Sequence, residues 1–285
     1  MPHTEFSWRA RDGQKLYAQE WQPSTTARGA IALVHGIGEH SGRYAALADA
    51  FNTAGYGVLA FDLRGHGRTG GQLGHIPSYE IAMQDIDYLL EQTARLHAGQ
   101  PIFLYGHSMG AALVLYYALN RRPTLTGIIA TSPGLAPAKP PSGATLLTAR
   151  LAYRLMPTMQ VENGLDLAGL SNDPEVIRRY QADSLVHSKI SARLGLDMLQ
   201  NGQWVLEHAS EFPLPLLLTV GTEDRLVSLT AIRQMATRVP AERLSYREWK
   251  GGYHELHNEP NKAEIITSIL EWMKHQEKST TASNV

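Results

Sequence analysis

Short apolar runs alternate along the chain with segments in which apolar residues recur every three or four positions. The run AIALVH at 30–35 is typical of a strand buried on both faces of a parallel sheet. Residues 79–96 instead carry their apolar side chains on one helical stripe. Strands are predicted at 5–9, 16–21, 30–35, 57–61, 101–105, 127–130, 214–220 and 244–249. Helices are predicted at 43–53, 79–96, 111–120, 229–239 and 262–275.

This order of strands and helices predicts an α/β fold with a mostly parallel, doubly wound sheet. The alternation stops after Ser132, where residues 133–143 are rich in Pro, Gly and Ala. From 145 to about 207 the pattern shows helices and loops but no clear central strand. We therefore expect a core formed by residues 1–134 and 207–285, interrupted by a helical cap at 135–206.

Composition and charge remove several classes of protein. The 285 residues include 26 Lys and Arg against 27 Asp and Glu, so the net charge of −1 offers no field for nucleic acid. The absence of cysteine excludes disulfides, a thiol nucleophile and cysteine-based metal sites. The chain shows no signal peptide pattern and no apolar stretch of membrane-spanning length, which favours a cytoplasmic location.

A candidate nucleophile lies between a predicted strand and a predicted helix. Gly106-His107-Ser108-Met109-Gly110 fits G-x-S-x-G, with PIFLY before it and AALVLYYAL after it. In a nucleophile elbow the glycines allow a strained serine and a close approach of strand and helix. The alternative is an ordinary turn in which the serine caps the helix. The flanking segments favour Ser108 as the nucleophile.

A serine nucleophile needs a base and an orienting acid, which on this fold follow it in the order acid, then histidine. His254 lies in a Gly-rich loop between the last strand and the last helix, and His257 is its rival. The acid should follow the preceding strand, where Glu223 and Asp224 both qualify by position. Position in the sequence does not decide between these two carboxylates.

Two backbone N–H groups are expected to stabilise the oxyanion. Met109 follows the nucleophile, and Ile37 lies in the loop His35-Gly36-Ile37-Gly38 after an early strand. Asp62-Leu63-Arg64-Gly65 is interpreted as a structural turn. The histidines are scattered without a metal-binding spacing, so no metal and no cofactor is predicted.

Five motifs together resemble the monoacylglycerol lipases of the α/β-hydrolase superfamily, with bacterial members most similar. They are HGIGEHSGRY at 35–44, DLRGHG at 62–67, GHSMG at 106–110, GTEDRL at 221–226 and YHE at 253–255. The resemblance implies Ser108 as nucleophile, Asp224 rather than Glu223 as acid and His254 as base. It also implies Ile37 and Met109 as oxyanion donors.

The resemblance further implies that Glu39, Arg43 and Tyr180 line the polar end, where the glycerol portion is held. Residues 135–206 match the lid. One departure is Ala111, where many members carry a second glycine. The implied reaction is hydrolysis of a small lipid ester, most simply a monoacylglycerol, through an acyl-enzyme. Transient contact of the cap with a lipid surface is also implied.

Several alternatives remain open from sequence. They are a lysophospholipase, a general carboxylesterase, a proline iminopeptidase that uses cap carboxylates, and a non-catalytic binding protein. A helix of the cap carries Leu147, Leu151 and Leu155 four residues apart and ends at Pro157. These leucines either pack the cap onto the core, which we favour, or form the rim of an acyl channel.

Overall fold

The structure, a computed structural model, describes residues 2–282 and their side chains as far as residue 279. Its main sheet has eight strands: β1 His3–Arg9, β2 Lys15–Trp21, β3 Gly29–Val34, β4 Tyr56–Phe61, β5 Ile102–His107, β6 Gly127–Thr131, β9 Leu216–Gly221 and β10 Leu244–Trp249. They lie in the order β1-β2-β4-β3-β5-β6-β9-β10. In this sheet β2 is antiparallel to both of its neighbours, β1 and β4, and the remaining neighbouring strands are parallel to each other. The predicted mostly parallel sheet is confirmed.

Helices cover both faces of this sheet, as a doubly wound fold requires. The helices are α1 Ala45–Thr53, α2 Tyr79–Leu96, α3 Met109–Arg121, α4 Gly143–Leu155, α5 Pro174–Ala182, α6 Ala192–His208, α7 Leu229–Arg238 and α8 Lys262–Ala282. Apolar residues of α1 and α8 pack on one face of the sheet, and those of α2, α3, α6 and α7 pack on the other. In β4, Val58 and Leu59 belong to opposite faces, so continuous apolar strands are buried on both sides.

The element boundaries depart from the predictions most at the end of α8, which continues to Ala282 rather than ending at His275. Smaller departures occur at helix starts. A 3₁₀ helix, Ser41–Tyr44, precedes α1, and α3 begins at Met109, two residues earlier than predicted. The segment between β6 and β9 also contains two three-residue strands, β7 Gln160–Glu162 and β8 Lys189–Ser191, which pair antiparallel. Strands this short show no hydrophobic period, and β7 is wholly exposed, so the sequence pattern missed them.

The leucines of α4 face away from the protein. Leu147, Leu151 and Leu155 are 69%, 58% and 69% exposed, whereas Ala152 is the buried residue of this helix. The favoured prediction that these leucines pack the cap onto the core is therefore wrong. The periodicity located an apolar face but did not show what covers it. Helix α4 contacts α6, and its residues that are not exposed are Leu146, Ala149, Ala152 and Tyr153 rather than the three leucines. Within residues 2–282, no helix combines the length and the hydropathy needed to cross a bilayer.

Candidate active site

Ser108 occupies a strained backbone position between β5 and α3. Its φ of 55° and ψ of −119° are unusual for a residue with a side chain, and its hydroxyl does not cap the helix. A Cβ on Gly106 would lie 2.5 Å from the Gly110 carbonyl oxygen, and one on Gly110 would lie 2.2 Å from that of Val34. Both glycines are needed because backbone fills the space. This geometry is that of a nucleophile elbow rather than of an ordinary serine cap.

Asp224 and His254 are joined by a short hydrogen bond. His254 Nδ1 lies 2.7 Å from Asp224 Oδ2, and the Asp224 side chain is fully buried. Asp224 Oδ1 accepts from the backbone N–H groups of Leu226 and Val227 at 2.8 and 3.1 Å. Burial favours the neutral carboxyl, but His254 and these N–H groups outweigh it and lower the pKa of Asp224. Glu223, by contrast, is exposed on the same turn.

His254 and its rival His257 have different surroundings. Burial lowers the pKa of His254, but the Asp224 charge and hydrogen bond outweigh it, so the net pKa is raised. Among the described residues, neither ring nitrogen of His257 has a hydrogen-bond partner. His257 stacks on Tyr44 at 4.9 Å between ring centroids, and burial lowers its pKa. His257 is therefore a packed ring whose burial disfavours the protonated form.

The loop after β3 approaches Ser108 closely. A Cβ on Gly36 would lie 3.2 Å from Ser108 Cβ, and Ile37 lines the same cavity as Ser108. Met109 is the first residue of α3 and directly follows Ser108. The two predicted oxyanion donors thus belong to segments that flank Ser108. Ala111, the departure in this motif, is completely buried in α3.

Two cavities are lined by Ser108, and a third adjoins the first of them. The one that Ser108 and His254 line together holds only about 10 Å³. An adjoining cavity of about 300 Å³ also reaches Ser108 and is largely apolar. Its apolar lining includes Ala136, Pro137, Leu165, Ile190, Met198, Leu199, Leu226 and Val227. A third cavity of about 430 Å³ shares Leu165 and Tyr180 with the first and has a mixed lining, in which Glu162, Gln181, Asp183 and His187 are polar.

Comparisons with known proteins agree with this geometry. A family model described as serine aminopeptidase, S33, matches residues 25–261. A monoacylglycerol lipase of Mycolicibacterium smegmatis is 32% identical over 271 residues, which cover 95% of this chain and 96% of that protein. The chain belongs to the monoacylglycerol lipase family of α/β-hydrolases. Its members are carboxylic ester hydrolases, and the predicted family is confirmed.

Other members of this α/β-hydrolase group support the assignment. The crystal structure of a monoacylglycerol lipase from Paleococcus ferrophilus has a TM-score of 0.84 and 36% identity, covering 92% of this chain and 99% of that one. An abhydrolase domain-containing protein of Dictyostelium discoideum is 38% identical over 267 residues. The match takes in 93% of this chain but only 28% of that longer protein.

The three residues that the monoacylglycerol lipase resemblance placed at the polar end lie together. Arg43 Nη1 donates to Glu39 Oε2 at 2.5 Å, and its guanidinium lies 4.6 Å from the centroid of the Tyr180 ring. A fourth member, Glu255, was missed by sequence reasoning and accepts two bonds from Arg43, at 2.8 and 2.9 Å. The sequence signal for Glu255 was its place in the YHE motif at 253–255, but its pairing with Arg43 could not be inferred, because the two residues are 212 positions apart.

The turn at Asp62 and Arg64 is structural, as predicted. Asp62 accepts from the N–H and hydroxyl of Ser41 and from the Arg68 N–H. Arg64 forms buried hydrogen bonds to Asp85 at 2.6 and 2.8 Å. In the described part of the chain, no cluster of three or more His, Asp and Glu side chains is arranged to hold a metal ion.

Proposed function

We propose that this protein hydrolyses monoacylglycerol to fatty acid and glycerol through an acyl-enzyme on Ser108. The observation that carries the proposal is the position of Ser108, which lines both a largely apolar cavity and a small cavity that Glu39, Arg43 and Tyr180 also line. In the small cavity Ser108 is accompanied by His254, which is paired with a buried aspartate. A monoacylglycerol has the same division, with a long apolar chain on one side of its ester and two hydroxyls on the other.

In this mechanism His254 takes the proton of Ser108 as the serine oxygen attacks the ester carbonyl. Asp224 holds the imidazole through Nδ1 and stabilises its protonated form. The N–H groups of Ile37 and Met109 donate to the oxyanion. His254 then protonates the departing glycerol oxygen. Water, deprotonated by the same histidine, attacks the acyl-enzyme and releases the fatty acid.

The cavities support an orientation for the substrate. The acyl chain would occupy the apolar cavity of about 300 Å³, and the glycerol would lie toward Glu39, Arg43 and Tyr180. The cavity that Ser108 and His254 line together, about 10 Å³, admits no more than a water molecule. Its lining, which includes Leu165, would therefore move when the alcohol portion of the substrate binds. We infer that residues 135–206 act as the cap over the core, and that substrate enters as this cap shifts.

The exposed leucines of α4 support contact with lipid. Leu147, Leu151 and Leu155, here called the leucine ridge, point outward from the cap, and Met156 beside them is 55% exposed. Apolar side chains grouped in this way mark interaction sites on protein surfaces. We infer that the ridge touches a membrane or lipid droplet transiently while substrate enters. A cytoplasmic location stays a prediction.

The peptidase alternative has weak support from the cap. The carboxylates available there are Glu162, Asp166, Asp173, Glu175, Asp183 and Asp197. Each already meets a cation, a helix N–H or a hydroxyl: for example, Asp183 pairs with His40 at 2.8 Å. A site for a substrate ammonium group would need several carboxylates turned toward one point. The ester hydrolase is therefore the better supported reading.

The test compares Ser108→Ala with the wild type on a monoacylglycerol, a lysophosphatidylcholine and a prolyl amide. We expect wild-type activity chiefly on the monoacylglycerol and a loss of about 10⁶-fold in the variant. A fluorophosphonate probe should label the wild type and not the variant. The control is Ser210→Ala, which removes an exposed serine hydroxyl and should retain full activity. Comparable turnover by Ser108→Ala, or a clear preference for either other substrate, would contradict the proposal.

A further inference from the structure

Arg43 stands between two buried carboxylates that belong to distant parts of the chain. It donates a hydrogen bond from Nη1 to Glu39 at 2.5 Å and one hydrogen bond to each carboxylate oxygen of Glu255, at 2.8 and 2.9 Å. Glu39 and Glu255 are 3% and 2% exposed, and Tyr180 covers the guanidinium from the cap side. Because a guanidinium is planar, such a bidentate hydrogen bond fixes the orientation of the Glu255 carboxylate relative to Arg43 as well as the distance between them.

Each carboxylate is tied to a different catalytic loop. The second oxygen of Glu39, Oε1, accepts the N–H of Gly36 at 2.7 Å, directly before the oxyanion donor Ile37. It also accepts the hydroxyl of Tyr44 at 2.7 Å. Glu255 follows His254 in the chain, so a bond that fixes Glu255 also fixes the backbone that carries the base. Arg43 therefore connects the oxyanion loop with the histidine loop.

The charges in this cluster bear on the reaction as well. Although burial opposes ionisation, Arg43 holds the pKa of Glu39 at about 2 and lowers the pKa of Glu255. Two ionised carboxylates then surround one guanidinium, which leaves a net negative charge near His254. After Asp224, Glu255 and Glu39 are the charges that most favour protonated His254. The imidazolium formed during the attack by Ser108 is stabilised by the same charges.

We propose that Arg43 is a positioning residue, which holds the Ile37 N–H and the His254 ring at a fixed separation across Ser108 through Glu39 and Glu255. The proposal rests on the proposed ester hydrolysis. It assigns to Arg43 and Glu39 a task beyond contact with glycerol. This task concerns every ester that reacts at Ser108, whatever its alcohol.

The test is Arg43→Lys, which keeps the charge but cannot bond two carboxylates in one plane. Activity is measured on a glycerol monoester and on a p-nitrophenyl ester of the same fatty acid. Positioning predicts that kcat falls on both esters, by about 10²-fold if a reacting group shifts by about 1 Å, with KM little changed. If Arg43 served only glycerol, KM would rise on the glyceride alone and the nitrophenyl ester would react normally. That result would overturn the proposal.

The matched control is Arg233→Lys. Arg233 forms the same two-pronged bond, to Glu248 at 2.7 and 2.8 Å, but on the exposed surface of α7 and β10. We expect it to leave both kcat values unchanged. Active sites are counted with the fluorophosphonate probe, so that a fraction of unfolded protein does not lower the apparent kcat.

A second variant, Glu255→Gln, keeps the shape of the side chain and removes its charge. We expect a lower kcat on both esters and an acidic limb of the pH–activity curve displaced to lower pH, because a charge that favours protonated His254 is lost. A purely structural role would not displace this limb. An unchanged limb with wild-type kcat would also overturn the proposal. A wild type inactive on both esters would instead overturn the proposed hydrolysis.

Discussion

For the leucine ridge, the size of its contribution to membrane binding can be calculated from the exposed fractions of its side chains. Full burial of a leucine side chain is worth about 1.5–3 kcal/mol. Leu147, Leu151 and Leu155 are 69%, 58% and 69% exposed, so a lipid surface could still cover more than half of each. Changing all three to serine should therefore remove about 3–6 kcal/mol of membrane binding, or about 10²–10⁴ in the partition coefficient.

The assay separates binding from chemistry. Sedimentation with phosphatidylcholine vesicles measures the partition coefficient, and hydrolysis is compared on vesicle-borne monoacylglycerol and on a water-soluble p-nitrophenyl ester. We expect the triple variant to lose binding and activity on the vesicles while it hydrolyses the soluble ester at the normal rate. Its free energy of unfolding should change little, because the three side chains are exposed and surface substitutions usually cost less than about 0.5 kcal/mol each.

The control is Leu96→Ser, at the end of α2, where a leucine is 40% exposed outside the ridge. It should leave vesicle binding unchanged. If the triple variant partitions into vesicles as well as the wild type does, the ridge is not a lipid contact. If it loses activity on the soluble ester as well, the leucines act on the active site rather than on binding.

Three further predictions concern the site. Asp224→Asn should lower kcat by about 10⁴-fold, because an amide no longer holds the His254 ring in the correct tautomer. Glu223→Gln should have no effect, and equal losses in the two variants would refute the assignment of Asp224 as the acid. Because the pKa of His254 is raised, activity should rise with pH along an acidic limb whose midpoint lies above 6.5, and a lower midpoint would contradict this cause. Gly110→Ala places a methyl 2.2 and 2.4 Å from backbone oxygens, so the free energy of unfolding should fall by about 1–3 kcal/mol or more. The control is Gly143→Ala, whose added Cβ would have no heavy atom within 4 Å, so this variant should not be destabilised in thermal unfolding.

Much of the core was predictable because its determinants are local. Helix α2 and strand β10 were predicted with their observed boundaries, since each shows its own hydrophobic period. The elbow at Ser108 was also predictable, because the five-residue motif contains the two glycines that the elbow needs where backbone leaves no room for a Cβ. The family resemblance then chose Asp224 over Glu223, which spacing had left open. In the structure Asp224 is buried against His254 and Glu223 is exposed, whereas the catalytic role of Asp224 stays a prediction.

The features that only the tertiary structure decided are those that depend on contacts between segments distant in the sequence. The sequence by itself determined the order of strands and helices, the glycine-framed serine and the absence of a thiol. It did not reveal the bond from Arg43 to Glu255, which joins positions 212 residues apart. Nor did it show that the α4 leucines face outward, because periodicity defines an apolar face without naming what covers it. Both properties arise only when separate elements pack together, since burial and pairing belong to the folded chain and not to any one segment.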